Sequence, residues 1–301
     1  MNRTPIFVTL ALLIGIAVGS MGAAVMLRRD VTGVDSHHQD ETVYDRVMKA
    51  QAIRCGYVIN FPSCYRDPNT STLRGYSVDC VEEMGRRLDL KIEWVEETTW
   101  GTMFEGLSDR YDLIGSTAWR NATRGKVVEF STPLVYSAVG VYVRPNDHRF
   151  DKNLEAINSP SVRIAVMDGE LSEVIAGEDF PQAKLVSLPQ LSDYSQLLLE
   201  VTTQKADVSF MENSVAALFL KTNPNSLKNV ATTRPIRVFG EGIMFKLGQV
   251  RFKSVVDAAI SEMINCGFVD RVLTKYDIAG AGGKYPVALP YQAPQSMTSA
   301  E

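Results

Sequence analysis

The stretch Asp112 to Arg124, which reads DLIGSTAWRNATR, is the most informative part of the sequence. An apolar strand leads into Gly115, Ser116 and Thr117, and Arg124 follows seven residues after Thr117. Small hydroxyl residues leave backbone N–H groups accessible at the end of a strand, and a guanidinium offers two parallel donors that match a carboxylate. The stretch therefore predicts a site for a small acid beyond the carboxyl end of a strand in an α/β sheet.

Strand-like and helix-like patterns alternate along the rest of the chain. A helix is predicted over residues 100–107. Strands are predicted at residues 53–59, 90–95, 112–115 and 138–143, and again at 162–167, 184–188 and 207–211. This alternation indicates a mostly parallel sheet covered on both faces. Because 301 residues exceed the usual size of one compact domain, two lobes separated by a cleft are expected.

The stretch resembles the ligand loop of the periplasmic solute-binding proteins of family 3, which serve amino-acid ABC importers. The resemblance extends from about Tyr44 to about Ile278. It implies the two-lobed type 2 periplasmic binding fold, with a hinge, in which the chain crosses between the lobes twice. Lobe one then consists of residues 43–142 and 240–279, and lobe two of residues 143–239.

The N-terminal residues predict export. Between Arg3 and Arg28 lie 24 uncharged residues, a length that spans a bilayer and exceeds most signal-peptide apolar regions. Residues 1–29 are predicted to be a signal peptide or a membrane anchor, since small residues near the end permit cleavage whereas Arg28 and Arg29 favour retention. Residues 30–42 follow as a linker. The expected location is periplasmic or otherwise extracytoplasmic, with a tether to the inner membrane if the segment is retained.

The C-terminal segment and the cysteines give weaker signals. Residues 280–301 begin with GAGG and continue with scattered Pro, Ser and Ala, which is typical of a flexible tail.

Four cysteines in an exported chain allow a disulfide, although their spacing does not identify the pair. Cys64 with Cys80 is the favoured pair because both fall near the rim of the first lobe.

Charge and motif content narrow the classes of partner. The net charge of −4 gives no electrostatic basis for binding nucleic acid. The sequence has no phosphate-binding glycine loop of the P-loop type, no metal-ligand spacing and no nucleophile with an adjacent base. We therefore expect no metal, no cofactor and no nucleic-acid partner, and we expect a monomer.

The resemblance assigns ligand contacts to residues that follow predicted strands. Phe61 and Trp100 match the two aromatic walls around a bound amino acid. Ser116 and Thr117 match hydroxyl residues that bond its carboxylate and amine, and Arg124 matches the arginine that grips its α-carboxylate. Packing in the core is the alternative for the two aromatic residues, and a surface charge is the alternative for the arginine.

Other positions depart from the family pattern. Trp119 and Arg120 replace smaller residues in the ligand loop, and Arg120 either adds a second positive group or faces water. Gly169 and Glu170 stand where the family often has glycine followed by two hydroxyl residues, so backbone N–H groups remain but a carboxylate is added. Glu212 matches an aspartate that pairs with the ligand ammonium, and it reaches about one CH₂ farther; an exposed surface charge is its alternative.

These features predict an exported, non-enzymatic binding protein. Its two lobes close around a small amino-acid-like ligand, and the membrane subunits of an ABC importer receive that ligand. One alternative is a periplasmic dehydratase-like enzyme of the same fold, with Glu170 or Glu212 as a general acid. The other alternative is a membrane-anchored ligand sensor. For the main hypothesis no catalytic residue is predicted.

Overall fold

The computed structural model describes residues 41–190, 192–277 and 284–285. The predicted signal peptide or anchor at residues 1–29, and the linker as far as residue 40, lie outside the described residues. Within the described ranges, no helix is both long and apolar enough to span a membrane.

The elements follow one another in the alternating order that the sequence predicts. Through the first half of the chain they are α1 (Val43–Ala50), β1 (Ala52–Val58), β2 (Tyr65–Arg66), β3 (Leu73–Arg74), α2 (Tyr76–Leu88), β4 (Lys91–Thr98), β5 (Leu113–Trp119), β6 (Val128–Phe130) and β7 (Val135–Val143). They continue with β8 (Arg163–Met167), α3 (Leu171–Asp179), β9 (Lys184–Leu188), α4 (Ser195–Thr202), β10 (Val208–Glu212), α5 (Asn213–Thr222), β11 (Lys228–Asn229), β12 (Arg237–Lys246), α6 (Val250–Asn265), α7 (Phe268–Lys275) and β13 (Lys284–Tyr285).

One sheet runs through the described part of the molecule in the order β4-β1-β5-β12-β7-β10-β8-β9. β1 is parallel to β4 and β5, and β8 is parallel to β9 and β10. In the centre, β12 is antiparallel to β5 and β7, and β7 is antiparallel to β10. The predicted parallel pairing therefore holds on both sides of the sheet and fails at its centre, because there the chain returns through a long strand and not through a crossover helix.

The two central strands contact both hydrophobic cores. Val135 of β7 packs in the first core, whereas Val139 packs in the second. Ile243 and Phe245 of β12 pack in the first core, whereas Phe239 lies against the second. The chain thus passes between cores within β7 and β12, and in β7 it does so a few residues before the predicted end of lobe one.

The C-terminal strand differs from the predicted flexible tail. β13 pairs antiparallel with β7, so that Lys284 lies opposite Ser137 and Tyr285 lies opposite Tyr136. β10 pairs with the same edge of β7, where Glu212 lies opposite Val139. β13 therefore lies next to the end of β10 along that edge, which brings Lys284 close to Glu212. The expectation of flexibility is wrong at these two residues, and the other residues of the predicted tail lie outside the described part of the chain.

The segment 100–107 forms turns where a helix was predicted. The Tyr111 hydroxyl donates to the carbonyl of Met103 at 2.7 Å and accepts from the N–H of Gly106 at 3.2 Å. A Cβ on Gly106 would come within 2.3 Å of the Tyr111 side chain. The turns therefore wrap around a buried tyrosine, and Gly101 and Gly106 lower the helix propensity of the segment.

All four cysteines are free thiols. Cys55, Cys64 and Cys80 are buried, and Cys266 is exposed. Burial raises the pKa of each buried thiol, that of Cys64 to about 11. Cys64 and Cys80, the favoured pair if a disulfide forms, are not bridged in this structure, and their side chains pack in different apolar clusters.

Asp112 fixes the start of β5. Its fully buried carboxylate accepts hydrogen bonds from the guanidinium groups of Arg46 and Arg54, at 3.0 and 2.9 Å, and from the backbone N–H of Arg54 at 2.9 Å. We predict that Asp112→Ala lowers the free energy of unfolding by about 3 kcal/mol, because these donors lose their acceptor. Urea denaturation measures the loss, with the exposed Asp109→Ala as the control. Equal effects of the two substitutions would contradict this role.

Candidate functional site

A cavity with about 620 Å³ of empty space, including its open mouth, lies where the carboxyl ends of β1, β5 and β10 meet. It brings together six of the nine predicted site residues, namely Phe61, Trp100, Thr117, Trp119, Arg124 and Glu212. The other lining residues are Asn60, Pro62, Tyr76, Ala118, Tyr194, Met211, Val215, Glu241 and Lys284. Ser116, Gly169 and Glu170 are not among the lining residues.

Aromatic side chains supply much of the apolar wall. Phe61 is 39% exposed, and its ring centroid lies 4.9 Å from that of Tyr65. Trp100 is half-buried and also packs against the apolar cluster that contains Met103 and Tyr111, so it belongs to both the wall and the core. Trp119 lies 5.9 Å from Phe239, measured between ring centroids. The cavity can therefore cover an apolar ligand surface from more than one side.

Glu241 of β12 is a buried carboxylate that the sequence analysis did not single out. Its Oε2 accepts from the hydroxyl groups of Tyr76 and Thr117, each at 2.7 Å. Its Oε1 accepts from the Ser137 hydroxyl and from Lys284 Nζ, the latter at 2.5 Å. Four donors from four different segments thus satisfy this one carboxylate, as a buried charge requires.

Lys284 also binds the predicted ammonium partner, Glu212. Lys284 Nζ lies 2.8 Å from Glu212 Oε2, and the same oxygen accepts from the Ser214 hydroxyl at 3.3 Å. The lysine, Glu212 and Glu241 side chains are 12%, 13% and 4% exposed, so the three charges are largely removed from water. We refer to Glu212, Glu241 and Lys284 as the charge cluster.

Burial and mutual charge set the protonation of the charge cluster. Burial raises the pKa of the Glu212 carboxyl, and the nearby Lys284 charge opposes this only partly. Burial also acts to raise the pKa of Glu241, but Lys284 and the hydroxyl donors hold it below its ordinary value. Although burial acts to lower the pKa of Lys284, the two carboxylates hold it well above its usual range. As the pH falls, Glu212 is therefore the first of the three to change charge.

Arg124 faces a carboxylate from the other half of the sheet. Its Nη2 lies 3.6 Å from Glu170 Oε1, within ion-pair distance but too far for a hydrogen bond. Its Nη1 donates to the carbonyl of Trp119 at 3.4 Å. Burial raises the pKa of the neighbouring Tyr194, and the charge of Glu170 raises it further. Glu170 therefore acts as the counter-ion of Arg124 in this structure.

Ser116 and Gly169 are bonded away from the cavity. The Ser116 hydroxyl donates to the carbonyl of Val58 and accepts from its N–H, both at 2.9 Å. Gly169 has a φ of +71°, and its N–H donates to the Glu173 carboxylate at 2.7 Å. Their assigned contacts with a ligand stay predictions.

Comparison with known proteins identifies the family. The model of the bacterial extracellular solute-binding proteins, family 3, matches residues 53–278. The chain belongs to this family. This solute-binding protein is 23% identical over 218 residues to the L-cystine-binding protein TcyA of Bacillus subtilis. The aligned region covers 71% of this chain and 76% of TcyA. The chain is 26% identical over 218 residues to a probable histidine-binding protein of Campylobacter jejuni, with 69% and 78% covered.

Solved structures agree with the fold of this solute-binding protein. An ancestral amino acid-binding protein, a precursor of cyclohexadienyl dehydratase, superposes with a TM-score of 0.61 at 24% identity. The match covers 78% of this chain and 99% of that chain. The predicted family and the predicted two-lobed α/β fold are thereby confirmed, and the family places the protein outside the cytoplasm.

Some lining residues of the solute-binding protein had little or no sequence signal. Glu241 had the clearest one, because it lies between Gly240 and Gly242 in an otherwise apolar run, where a carboxylate is costly unless it is paired. Lys284 had none, since a lone lysine after a glycine-rich segment is ordinary on a solvated tail. Tyr194 lies just before α4, where an aromatic residue predicts packing as readily as ligand contact.

Ser116 and Thr117 are adjacent on β5 but have different partners, so substituting them should have different effects. We predict that Ser116→Ala lowers the free energy of unfolding by about 1–2 kcal/mol, because the buried backbone groups of Val58 lose their partner. We expect solute affinity to change less than about three-fold in that variant. Thr117→Val removes a donor to the Glu241 carboxylate in the cavity wall and should weaken solute binding about ten-fold.

Urea denaturation and titration calorimetry, applied to both variants, check this pair of expectations. The two variants serve as each other's control because each removes one hydroxyl from the same strand. If Ser116→Ala greatly lowered the solute affinity and left the stability unchanged, the structural role would be contradicted and Ser116 would be assigned to the ligand site.

Proposed function

We propose that this solute-binding protein captures a small zwitterion, an amino acid or an amino-acid derivative, and delivers it to an ABC importer. The observation that supports this most is that Arg124 and Glu212 line the same cavity. One comes from the loop after β5 and the other from the end of β10. A cation for the ligand carboxylate and an anion for its ammonium are thus held on different strands around one space.

The chemistry of the two poles fits an α-amino acid. A guanidinium can grip a carboxylate with two parallel hydrogen bonds. At the other pole, Glu212 offers a largely buried carboxylate, and such a group gains from a cationic partner. Phe61 and Trp100 border the same cavity and provide apolar cover for the ligand.

The relatives support the same ligand class. One is named for L-cystine and another for histidine. Because the two names differ, we propose the class and not one amino acid. A zwitterionic backbone is what these two named solutes share.

Delivery requires a change of shape that an importer can recognise. β7 and β12 contact both cores, so bending of these strands would open and close the cavity. We propose that the protein acts as a monomer and that the closed form presents both lobes to the importer's membrane subunits. If the N-terminal apolar segment is retained, it tethers the protein to the inner membrane beside that importer.

A dehydratase-like enzyme is the second candidate, and one observation favours it. Burial raises the pKa of Glu212 inside the cavity, as a general acid requires. However, Glu212 Oε2 is already bonded to Lys284 and Ser214, and a binding protein needs no proton transfer. A turnover assay on prephenate-like acids tests this candidate directly, and measurable turnover would replace the binding proposal.

Arg124 tests the carboxylate pole. We predict that Arg124→Ala weakens binding of every carboxylate ligand by at least about 100-fold, since a largely buried two-pronged contact is lost. Titration calorimetry against the common L-amino acids and L-cystine measures the effect. Arg120→Ala is the matched control, because Arg120 is exposed and four residues away in the same loop. Near-normal affinity in Arg124→Ala, or an equal loss in Arg120→Ala, would contradict the assignment.

Glu212 tests the ammonium pole. We predict that Glu212→Gln weakens L-amino acids about ten-fold, while their des-amino counterparts change less than about three-fold, because only the ammonium loses a charged partner. The exposed Glu105→Gln removes the same charge elsewhere and serves as the control. Equal losses for ligands with and without the amine would remove Glu212 from the ammonium site.

A further inference from the structure

Lys284 is held where a bound cation would be held. Its Nζ reaches three acceptors: Glu212 Oε2 at 2.8 Å, Glu241 Oε1 at 2.5 Å and the Ser137 hydroxyl. An ammonium has three protons, so these acceptors satisfy it. The same Nζ lies 5.3 Å from the centroid of the Tyr76 ring, which adds a cation–π contact. The chain thus supplies its own ammonium to a pair of buried carboxylates.

The bonds around the charge cluster leave little acceptor capacity. Both oxygens of Glu241 have two donors each, from Tyr76 and Thr117 on one side and from Ser137 and Lys284 on the other. Glu212 Oε2 already accepts from Lys284 and Ser214. No hydrogen bond to Glu212 Oε1 is found within the described residues. One carboxylate oxygen therefore remains for a ligand cation.

We propose that Lys284 is a specificity-determining residue that fills the second cation position of the charge cluster. With Lys284 in place, the site takes amino acids that carry one positive charge, the α-ammonium, and disfavours those with a cationic side chain. This inference rests on the proposed function and adds to it a class of amino acid, those without a cationic side chain.

Charge balance explains why the lysine should act on selectivity. Two buried carboxylates without Lys284 would carry two negative charges, and each would need a positive partner. A ligand such as arginine or lysine carries two positive groups and could supply both. Lys284 supplies one of them from the chain, so the charge cluster holds no counter-ion for the second positive group of such a ligand. The pairing of β13 with β7, in which Lys284 lies opposite Ser137, holds the lysine at this position.

The first test compares ligands that differ mainly in charge, in one pair of nearly equal shape and in one pair that differs by a terminal amine. Titration calorimetry is performed with L-arginine against L-citrulline, and with L-lysine against L-norleucine, on the full chain and on Lys284→Met. We expect the ratio of affinities in each pair that binds to shift toward the cationic member by at least about ten-fold in Lys284→Met. Lys205→Met, which removes an exposed lysine paired with Glu200, should leave the ratio unchanged. An unchanged ratio in Lys284→Met, or equal gains for both members, would overturn the proposal.

A second test does not depend on amino-acid binding. Thermal unfolding of Lys284→Ala and of the unaltered chain is followed with n-butylammonium chloride or with sodium chloride at equal ionic strength. We expect butylammonium to raise the Tm of Lys284→Ala and to leave that of the unaltered chain unchanged, because the small cation replaces the missing one. No rise would overturn the proposal. A rise without any amino-acid binding would refute the proposed function and leave the cation position standing.

A third measurement uses only the unaltered chain and remains decisive if the variants do not fold. Lysines are acetylated with limiting acetic anhydride, and the modification at Lys284 is quantified by mass spectrometry. We expect Lys284 to be protected relative to the exposed Lys91 and Lys205, and to stay protected when a bound amino acid saturates the site. Exposure of Lys284 on binding would show that the ligand displaces it, which would overturn its role as a resident cation.

Discussion

The need to satisfy one buried carboxylate, Glu241, organises the centre of this protein. The residue lies on β12, and its donors come from α2, β5, β7 and β13. A charge removed from water is tolerated only with several well-placed partners. Elements far apart in the sequence are therefore held together at the floor of the cavity, and two of them, β7 and β12, are the strands that contact both cores. Ser137 of β7 and Glu241 of β12 thus belong both to the charged floor of the cavity and to the two strands that connect the cores.

The two poles of the cavity differ in how firmly they are neutralised. At one pole, Arg124 and Glu170 are 3.6 Å apart, a loose pair that a ligand carboxylate can enter at little cost. At the other pole, Lys284 lies within 2.8 Å of both carboxylates and is largely buried, so separating these groups would strand charges away from water. A ligand should therefore rearrange the arginine pole and leave the lysine pole in place. In the proposed scheme, the pole that does not move is the one that sets selectivity.

Sequence patterns predicted the parts of the structure that depend on interactions between residues close together in the chain. The loop after β5 could be predicted because strand, small residues and arginine occur in one continuous stretch, and the parallel pairs on both sides follow from alternating strands and helices. The turns at residues 100–107 could not, because they depend on the side chain of Tyr111, which becomes buried only in the folded sheet. The position of Lys284 in the charge cluster could not be predicted either, because it depends on pairing between β13 and β7 across 147 residues of sequence. Interactions of that range leave no local trace in residue spacing.

The hydrogen bonds within the charge cluster limit how its carboxylates could take part in proton transfer. A general acid must present a proton to its substrate, and a general base must present a free lone pair. In the charge cluster, three of the four carboxylate oxygens are occupied by donors from the protein. A resident ammonium beside them lowers their tendency to take up a proton, which opposes the effect of burial. Only Glu212 Oε1 receives no donor within the described residues, so a ligand ammonium and any proton transfer from the charge cluster would both have to use this one atom.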